Sequence, residues 1–183
     1  MEKKKYFPAL ILIFIAGGLD AFCYIMHDGM FAAMQTGNMI QIAIKLARCE
    51  FVELGKYFLS ILAFVLGIIV AHLLSKVKRY EIISICSSIL CYTIGLLIPV
   101  GTLNSLSNLI IAFGVAIQLQ VIRSISGFTV ATTMCTGNLK GFAECTGQLI
   151  TTRDKKYLLG MLIYSTLIIS FMLGVFVVAL IIK

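Results

Sequence analysis

The sequence contains no tryptophan, only two histidines and few charged residues, and these shortages exclude most classes of soluble protein. Charged residues make up 13% of the chain, whereas 60% is hydrophobic and the mean hydropathy is +1.04. A soluble domain of 183 residues cannot bury that much apolar surface, so the chain must be solvated by lipid. Without tryptophan, we expect the aromatic anchors at the membrane interface to be tyrosines that adjoin lysine or arginine: Tyr6, Tyr57, Tyr80 and Tyr157.

The sequence also lacks the residue sets that common catalytic and metal sites require. His27 and His72 are the only imidazoles, and no paired carboxylates, Ser/His/Asp set or His/Cys ligand spacing occurs. The six cysteines form no C-x-x-C motif, and most lie within apolar runs, where a thiol packs as a small hydrophobe. We therefore expect no enzyme activity, no metal and no cofactor.

The net charge of +7 does not indicate nucleic acid as a partner, because of where the basic residues lie. They form short clusters between apolar runs, as is typical of membrane flanks that face the cytoplasm and anionic headgroups. The predicted partner is the lipid bilayer, and the first cluster predicts a cytoplasmic N-terminus. The clusters are Lys3 to Lys5, Lys45 with Arg48 and Lys56, Lys76 with Lys78 and Arg79, and Arg153 with Lys155 and Lys156.

One tripeptide, Thr-Gly-Asn, occurs twice, at Thr36-Gly37-Asn38 and 100 residues later at Thr136-Gly137-Asn138. Met34 and Met134 share the same offset, and similar patterns of apolar segments surround both copies. We interpret this as an internal duplication. The basic start followed by an apolar run to Ala16 also resembles a secretory signal, but its removal would delete one arm of the first repeat.

Seven apolar or semi-apolar segments can be distinguished along the chain. The expected fold is an all-α, polytopic transmembrane helix bundle of six to seven helical segments, forming a single domain over 1–183. The arrangement is three plus one plus three: repeat unit one over 7–74, a linking helix over 82–100 and repeat unit two over 109–182. The segments are Phe7–Met26, Phe31–Ala47, Tyr57–Leu74, Ile82–Val100, Leu109–Phe128, Thr129–Thr146 and Tyr157–Ile182.

The number of crossings decides the symmetry of the two units. If both Thr-Gly-Asn segments cross the membrane the units are parallel, and if neither crosses they are inverted. Counting basic residues in the loops does not separate these alternatives, because each places three basic clusters inside and one outside. A segment of about 17 residues comes close to spanning, which favours seven crossings.

Two helix faces can be predicted from residue spacing. Polar side chains recur every three or four residues in the second segment, at Asn38, Gln41, Lys45 and Arg48, and we expect this face to contact protein or water. Ala63, Gly67 and Ala71 form a small-residue stripe on the third segment, which predicts that another helix approaches closely there.

The predicted substrate site combines both tripeptides with the polar residues inside long segments. Glycine lets a backbone or ligand approach, while the Thr hydroxyl, the Asn amide and freed N–H groups at a helix start make a polar site at membrane depth. Asp20 and Arg123 are charges within predicted spans, and we expect them to lie near each other. The predicted residues are Asp20, Thr36, Gly37, Asn38, Gln118, Arg123, Thr136, Gly137 and Asn138.

Two structural alternatives compete with this interpretation. The tripeptides can instead be helix-packing contacts, since Gly137-x-x-x-Gly141 is a close-packing motif in its own right. Asp20 and Arg123 can form an ion pair that only orients the bundle.

Several of these motifs resemble the YoaK-like family of uncharacterised bacterial multi-pass membrane proteins. Ala16-Gly17-Gly18-Leu19-Asp20-Ala21 resembles the family's A-G-x-x-D-A, and Ala131 to Gly137 resembles its A-T-T-x-x-T-G. Thr36-Gly37-Asn38 and Gln118 to Arg123 add to the likeness, although Leu119 and Gln120 replace the commoner N-A after Gln118. The resemblance implies a location in the bacterial cytoplasmic membrane and supplies no activity.

The sequence therefore predicts a small transporter or channel for a polar or anionic solute, with its site at the interface of the repeats. The alternative is a membrane protein that does not transport and acts by packing against a partner or lipid. A chain of this size leaves homodimerisation open as the way to enclose a pathway.

Overall fold

The computed structural model describes residues 5–183, which form seven α-helices and one two-stranded hairpin. Lys3 and Lys4 of the predicted cytoplasmic cluster lie outside the described residues. In chain order the elements are α1 (Tyr6–Met26), α2 (Gln35–Ala47), a 3₁₀ turn (Phe51–Glu53), α3 (Leu54–Leu74), α4 (Tyr80–Leu97), α5 (Asn104–Leu119), β1 (Ser124–Ile125), β2 (Phe128–Thr129), α6 (Thr136–Thr152) and α7 (Lys156–Ile182).

Four helical stretches are long and apolar enough to cross a membrane. They are Tyr6–Met26, Phe51–Leu74, Tyr80–Leu97 and Lys156–Ile182. Large apolar side chains stay exposed on them, including Phe58 and Phe176, each 60% exposed, and a soluble monomer rarely leaves so much apolar surface uncovered. These features identify an α-helical integral membrane protein.

The other three helices are too short to span a bilayer core alone if they run straight across. α2, α5 and α6 have 13, 16 and 17 residues, which at 1.5 Å per residue corresponds to about 20 to 26 Å, against about 30 Å of hydrocarbon. The sequence predicted six to seven helical segments, but the segments predicted here are longer than these three helices.

Several predicted helix boundaries are wrong by four or more residues. α5 begins at Asn104 and not at Leu109, and α6 covers Thr136–Thr152 and not Thr129–Thr146. α2 begins at Gln35 and not at Phe31, because side chains bind the intervening backbone, as described below. The predicted span Leu109–Phe128 ends at Leu119, since the chain then forms the β1–β2 hairpin. Ser126 and Gly127, with φ of 51° and 83°, form its two-residue turn, in which left-handed backbone matches the twist of the strands.

The chain divides into two compact units. The first, here called the N-terminal unit, comprises Leu19–Val121 with Ile182–Lys183. Its central element is α5, which packs against both α3 and α4 and buries ten of its sixteen residues.

Small residues bring the helices of the N-terminal unit close together. The predicted stripe on α3 is confirmed: Ala63, Gly67 and Ala71 are buried, and a Cβ on Gly67 would stand 2.6 Å from both Ala116 Cβ and Phe113 O of α5. A Cβ on Gly114 would stand 2.7 Å from Cys91 Cβ of α4. Glycine and alanine at these positions let the helix backbones approach closely and gain contacts that a larger side chain would prevent.

The second, C-terminal unit comprises Ile122–Ile181 together with the chain up to Gly18. In this unit the first part of α1 lies against α7 so closely that a Cβ on Gly17 or Gly174 would overlap the backbone of the other helix. Ser170 Oγ donates to Leu10 O at 2.8 Å, which adds a hydrogen bond between the same two helices.

We expect Gly67→Ala to destabilise the protein by about 1–3 kcal/mol, because the added methyl group must displace the backbone of α5. Gly55→Ala is the matched control in the same helix, since a Cβ at this position would meet no atom within 4 Å and alanine favours helix. Thermal unfolding in detergent measures both. Equal unfolding temperatures for the two variants would contradict this account of the α3 and α5 interface.

Candidate functional site

Asp20 lies in the last two turns of α1 and binds the backbone that follows the helix. Its Oδ1 accepts hydrogen bonds from the N–H groups of Ala32 at 2.9 Å and Ala33 at 2.7 Å, and the residue is buried. A buried carboxylate requires such donors. The Asp20 carboxylate thus has its hydrogen-bond donors in the loop that follows α1.

Asn38, one of the two repeated asparagines, closes the same loop from the other side. Its Oδ1 accepts from Phe31 N at 3.0 Å, and its Nδ2 donates to Phe31 O at 2.8 Å, so one amide satisfies both backbone groups of Phe31. Nδ2 also lies 2.8 Å from Gln35 Oε1 and 3.2 Å from Ser60 Oγ. Asn38 is fully buried.

Asn138 makes the same pair of bonds 100 residues later. Its Oδ1 accepts from Ala131 N at 3.0 Å and its Nδ2 donates to Ala131 O at 2.7 Å, with Met134 O at 3.2 Å. Asn138 too is fully buried. Each asparagine therefore binds both the N–H and the C=O of the residue seven positions before it. We call this arrangement the Asn clamp.

The threonines and glycines of the two tripeptides have other surroundings. Thr36 and Thr136 are exposed in the first turns of α2 and α6, respectively. A Cβ on Gly37 would meet the Phe31 ring at 2.7 Å, whereas Gly137 faces open space. In the Gly137-x-x-x-Gly141 motif only Gly141 is a packing contact, and it lies against the Tyr164 ring.

Gln118 and Arg123 were predicted on one helix but lie in different surroundings. Gln118 is fully buried near the end of α5, and its Oε1 accepts from Tyr92 Oη of α4 at 2.7 Å. Arg123 follows the end of α5 and is exposed, because the chain has left the helix before reaching it. The prediction that Arg123 lies inside a helical span is wrong. Its predicted proximity to Asp20 stays a prediction.

The polar face predicted on α2 turns inward in part, since Arg48 follows the helix and is exposed. Besides Asn38, Lys45 is largely covered and its Nζ lies 2.6 Å from Glu53 and 3.1 Å from Glu50. Apolar side chains occupy the outer face, with Met39 and Ile40 more than half exposed. A helix with polar groups inside and apolar groups outside is consistent with lipid around α2.

Sequence reasoning missed a polar cluster at the end of α1. Asn104 Nδ2 donates to Asp28 Oδ2 at 3.2 Å, and Asn104 Oδ1 accepts from Gly101 N at 2.7 Å. Tyr57 Oη donates to Asp28 O at 3.3 Å, so Tyr57 is buried in the protein and is not an interfacial anchor. The backbone of Asp28 is left-handed, with φ of 56°, and turns the chain at the end of α1.

His27, next to this cluster, is fully buried. Its ring packs edge-on against Phe22, with centroids 4.9 Å apart. Among the described residues neither imidazole nitrogen has a hydrogen-bond partner. Burial lowers the pKa of His27, and the nearby Asp28 carboxylate opposes this effect, so the neutral form is favoured in the folded protein.

Two cavities lie within the C-terminal unit. One, of about 320 Å³, is mainly apolar and is lined by Tyr6, Ile125, Ser126, Leu159, Leu162 and Ile163. The other, of about 470 Å³, is an open cleft between the hairpin, α6 and α7, with a lining of mixed polarity. Neither cavity is lined by any of the nine predicted site residues. No group of three metal-ligating side chains occurs in the part of the chain that the structure describes.

Comparison with known proteins identifies one family. The model of the family described as Protein of unknown function (DUF1275) matches residues 8–183, which is nearly the whole chain. The chain matches no curated protein and no solved structure.

We expect Asn38→Leu and Asn138→Leu each to destabilise the protein by about 2–4 kcal/mol, because each removes a buried amide that bonds a partly buried backbone N–H and C=O. Thr36→Ala and Thr136→Ala remove exposed hydroxyls from the same tripeptides and should change stability by no more than about 0.5 kcal/mol. Thermal unfolding of the four variants in detergent tests this. Similar effects of asparagine and threonine substitutions would show that the clamp does not stabilise the loops.

Stability should fall when the pH is lowered from 7 to 5, in part through His27. Its folded pKa lies below the unfolded value of about 6.5, so the unfolded state binds the proton first and the folded state loses up to about 1.4 kcal/mol per pH unit. His27→Leu should reduce this slope, as measured by unfolding at each pH. A slope equal to that of the unsubstituted protein would rule out His27 as the source.

Proposed function

The chain belongs to the DUF1275 family, whose function is unknown, and we propose that this member is a small membrane transporter for a polar solute. The proposal includes two related three-segment units, with the solute path lined by the segments that follow the two Asn clamps. The observation that carries it is the recurrence of the clamp, with the same two bonds at residues 31 and 38 and at residues 131 and 138.

The two clamped loops are irregular segments in matching places of the sequence. Each connects to a short helix, α2 or α6, and each is held by buried side chains. Non-helical backbone at membrane depth is tolerated where it is buried in protein or lines a water-filled cavity. Interrupted segments at corresponding positions of two repeats are the usual location of a transporter's binding site.

The first turns of α2 and α6 leave polar groups available for a solute. Thr36 and Thr136 are exposed there. At the start of α2 the N–H groups of Gln35 and Gly37 already donate to Ala33 O and Met34 O. The exposed hydroxyls and the positive end of each helix dipole therefore supply the attraction, and they suit a polar or anionic solute better than a cation.

The resemblance to YoaK-like proteins extends the proposal to location. We propose that the protein lies in a bacterial cytoplasmic membrane. We also propose that its N-terminus is cytoplasmic, because the first basic cluster favours that side. Homodimerisation is part of the same proposal, as a means for a short chain to enclose a pathway.

A second function is favoured by the hydrogen bonds of three buried residues of the predicted site. Asp20, Asn38 and Asn138 bind loop backbone and do not line either described cavity. This is the behaviour expected of a membrane protein whose polar motifs are architectural and whose role is to bind a partner or lipid.

Water access to Thr36 and Thr136 distinguishes the two functions. In a variant without the six native cysteines, Thr36→Cys and Thr136→Cys should react with a membrane-impermeant thiol reagent from at least one side of the membrane. Lys76→Cys, in the exposed loop after α3, is the positive control, and Phe58→Cys, on an apolar exposed face, is the negative control.

Transport itself is measured by osmotic swelling of proteoliposomes in a panel of polar solutes. We expect at least one solute to enter faster than into empty liposomes, and modification of the cysteine introduced at position 36 or 136 to slow its entry. If neither of these cysteines reacts while the one introduced at position 76 does, the solute path does not include these segments and the architectural function replaces the proposal.

A further inference from the structure

The open cleft of about 470 Å³ in the C-terminal unit is lined by none of the nine predicted site residues. The hairpin, α6 and α7 form it, and the spacing of the residues on each helix brings their side chains to the same side. Positions 141, 144, 145 and 148 share one face of α6, and Tyr157 and Tyr164 are two turns apart on α7. Residues 127–129 of the hairpin complete the lining. We call it the α6–α7 cleft.

Aromatic rings make up much of its wall. Phe128, Tyr157 and Tyr164 all line the cleft, and the rings of Phe128 and Tyr164 pack edge to face with centroids 6.2 Å apart. Tyr164 Oη donates to Thr129 O at 2.8 Å, which ties the hairpin to α7 and fixes the ring. Gly141 and Gly160 make room for these rings, since a Cβ on either would overlap them.

One side chain of the lining carries a formal charge, and it is negative. Glu144 lines the cleft with its side chain 63% exposed. Two lysines on the same helices have acidic partners, since Lys140 Nζ lies 3.5 Å from Glu144 and Lys156 Nζ lies 3.1 Å from Asp154. An exposed pair such as Lys140 with Glu144 is weak, so another cation can compete for the carboxylate.

A ring of the cleft already attracts a cation in this structure. Lys156 Nζ lies 4.9 Å from the centroid of Tyr157, within the distance at which the ring face attracts positive charge. Aromatic faces combined with one carboxylate form the pattern by which proteins bind substituted ammonium groups. The volume also falls in the range of small-molecule sites.

The surroundings place one end of the cleft in water. Arg153, Asp154, Lys155 and Lys156 precede or begin α7 and are all exposed, and such a run of charges is not stable in hydrocarbon. Tyr157 lies at this end, and Tyr164 lies about 10 Å further along α7. A ligand therefore has access from the aqueous side.

We propose that the α6–α7 cleft binds a small organic cation, with Glu144 as its counter-charge and Phe128, Tyr157 and Tyr164 as its aromatic walls. The ammonium group belongs either to a free solute or to a lipid headgroup, because both present the same chemistry. The proposal concerns binding and does not rest on the transport function. Its test uses none of the residues by which the solute path is tested, Thr36 and Thr136, so each proposal can fail alone.

Choline is the probe, and its uncharged isostere 3,3-dimethylbutan-1-ol is the control ligand. Binding is measured by calorimetry on the full chain in nanodiscs of phosphatidylglycerol, which carries no ammonium group. We expect choline to bind and the isostere to bind at least about tenfold more weakly. Weaker apparent choline binding in phosphatidylcholine nanodiscs would assign the cleft to a headgroup, and equal binding would assign it to a free solute.

Variants test the assigned roles. Glu144→Gln should weaken choline binding about tenfold, whereas Lys140→Gln should strengthen it, because it removes the competing cation. Tyr157→Phe should retain binding and Tyr157→Leu should lose it. Glu50→Gln, which removes a carboxylate paired with Lys45 outside the cleft, is the control and should have no effect.

Opposite effects at Glu144 and Lys140 cannot arise from a general loss of folding. Equal binding of choline and its isostere, no choline binding in phosphatidylglycerol, or unchanged binding by Glu144→Gln would each overturn the proposal.

Discussion

Backbone N–H and C=O groups outside a helix must form hydrogen bonds within the protein where water cannot reach them. This requirement determines the conformation of the loop before α2. From Phe31 to Ala33 every backbone N–H and C=O is bonded, by the side chains of Asp20, Gln35, Asn38 and Ser60 and by the N–H of Gln35. These bonds determine where α2 starts and leave Thr36 exposed. Asn138 provides the corresponding bonds before α6.

Hydropathy and residue spacing were sufficient to predict the membrane class, six to seven helical segments and the packing stripe of α3, because each depends on residues within a few turns of one another. The start of α2 could not be predicted in this way. Phe31 to Met34 is as apolar as the helix that follows, and the carboxylate that keeps Ala32 out of the helix lies 12 residues earlier. The hairpin after α5 was missed because two paired residues per strand give no alternating pattern.

The candidate site was predicted only in part, for a similar reason. Repetition drew attention to Asn38 and Asn138, but a side-chain amide that binds a ligand and one that binds its own loop look alike in sequence. Arg123 seemed embedded because its neighbours are apolar, yet the helix ends four residues before it. The α6–α7 cleft combines Phe128, Glu144 and Tyr157, and no local pattern links residues from three separate elements.

The contact between the first part of α1 and α7 has a consequence for biosynthesis. Its partners, such as Leu10 and Ser170, are 160 residues apart, and at ordinary translation rates the ribosome needs roughly 10 to 30 s to make that length. During this interval the glycine face of α1 has no α7 to cover it and lies against lipid or a membrane chaperone. The nascent protein is therefore most open to quality-control proteolysis until its last helix is inserted.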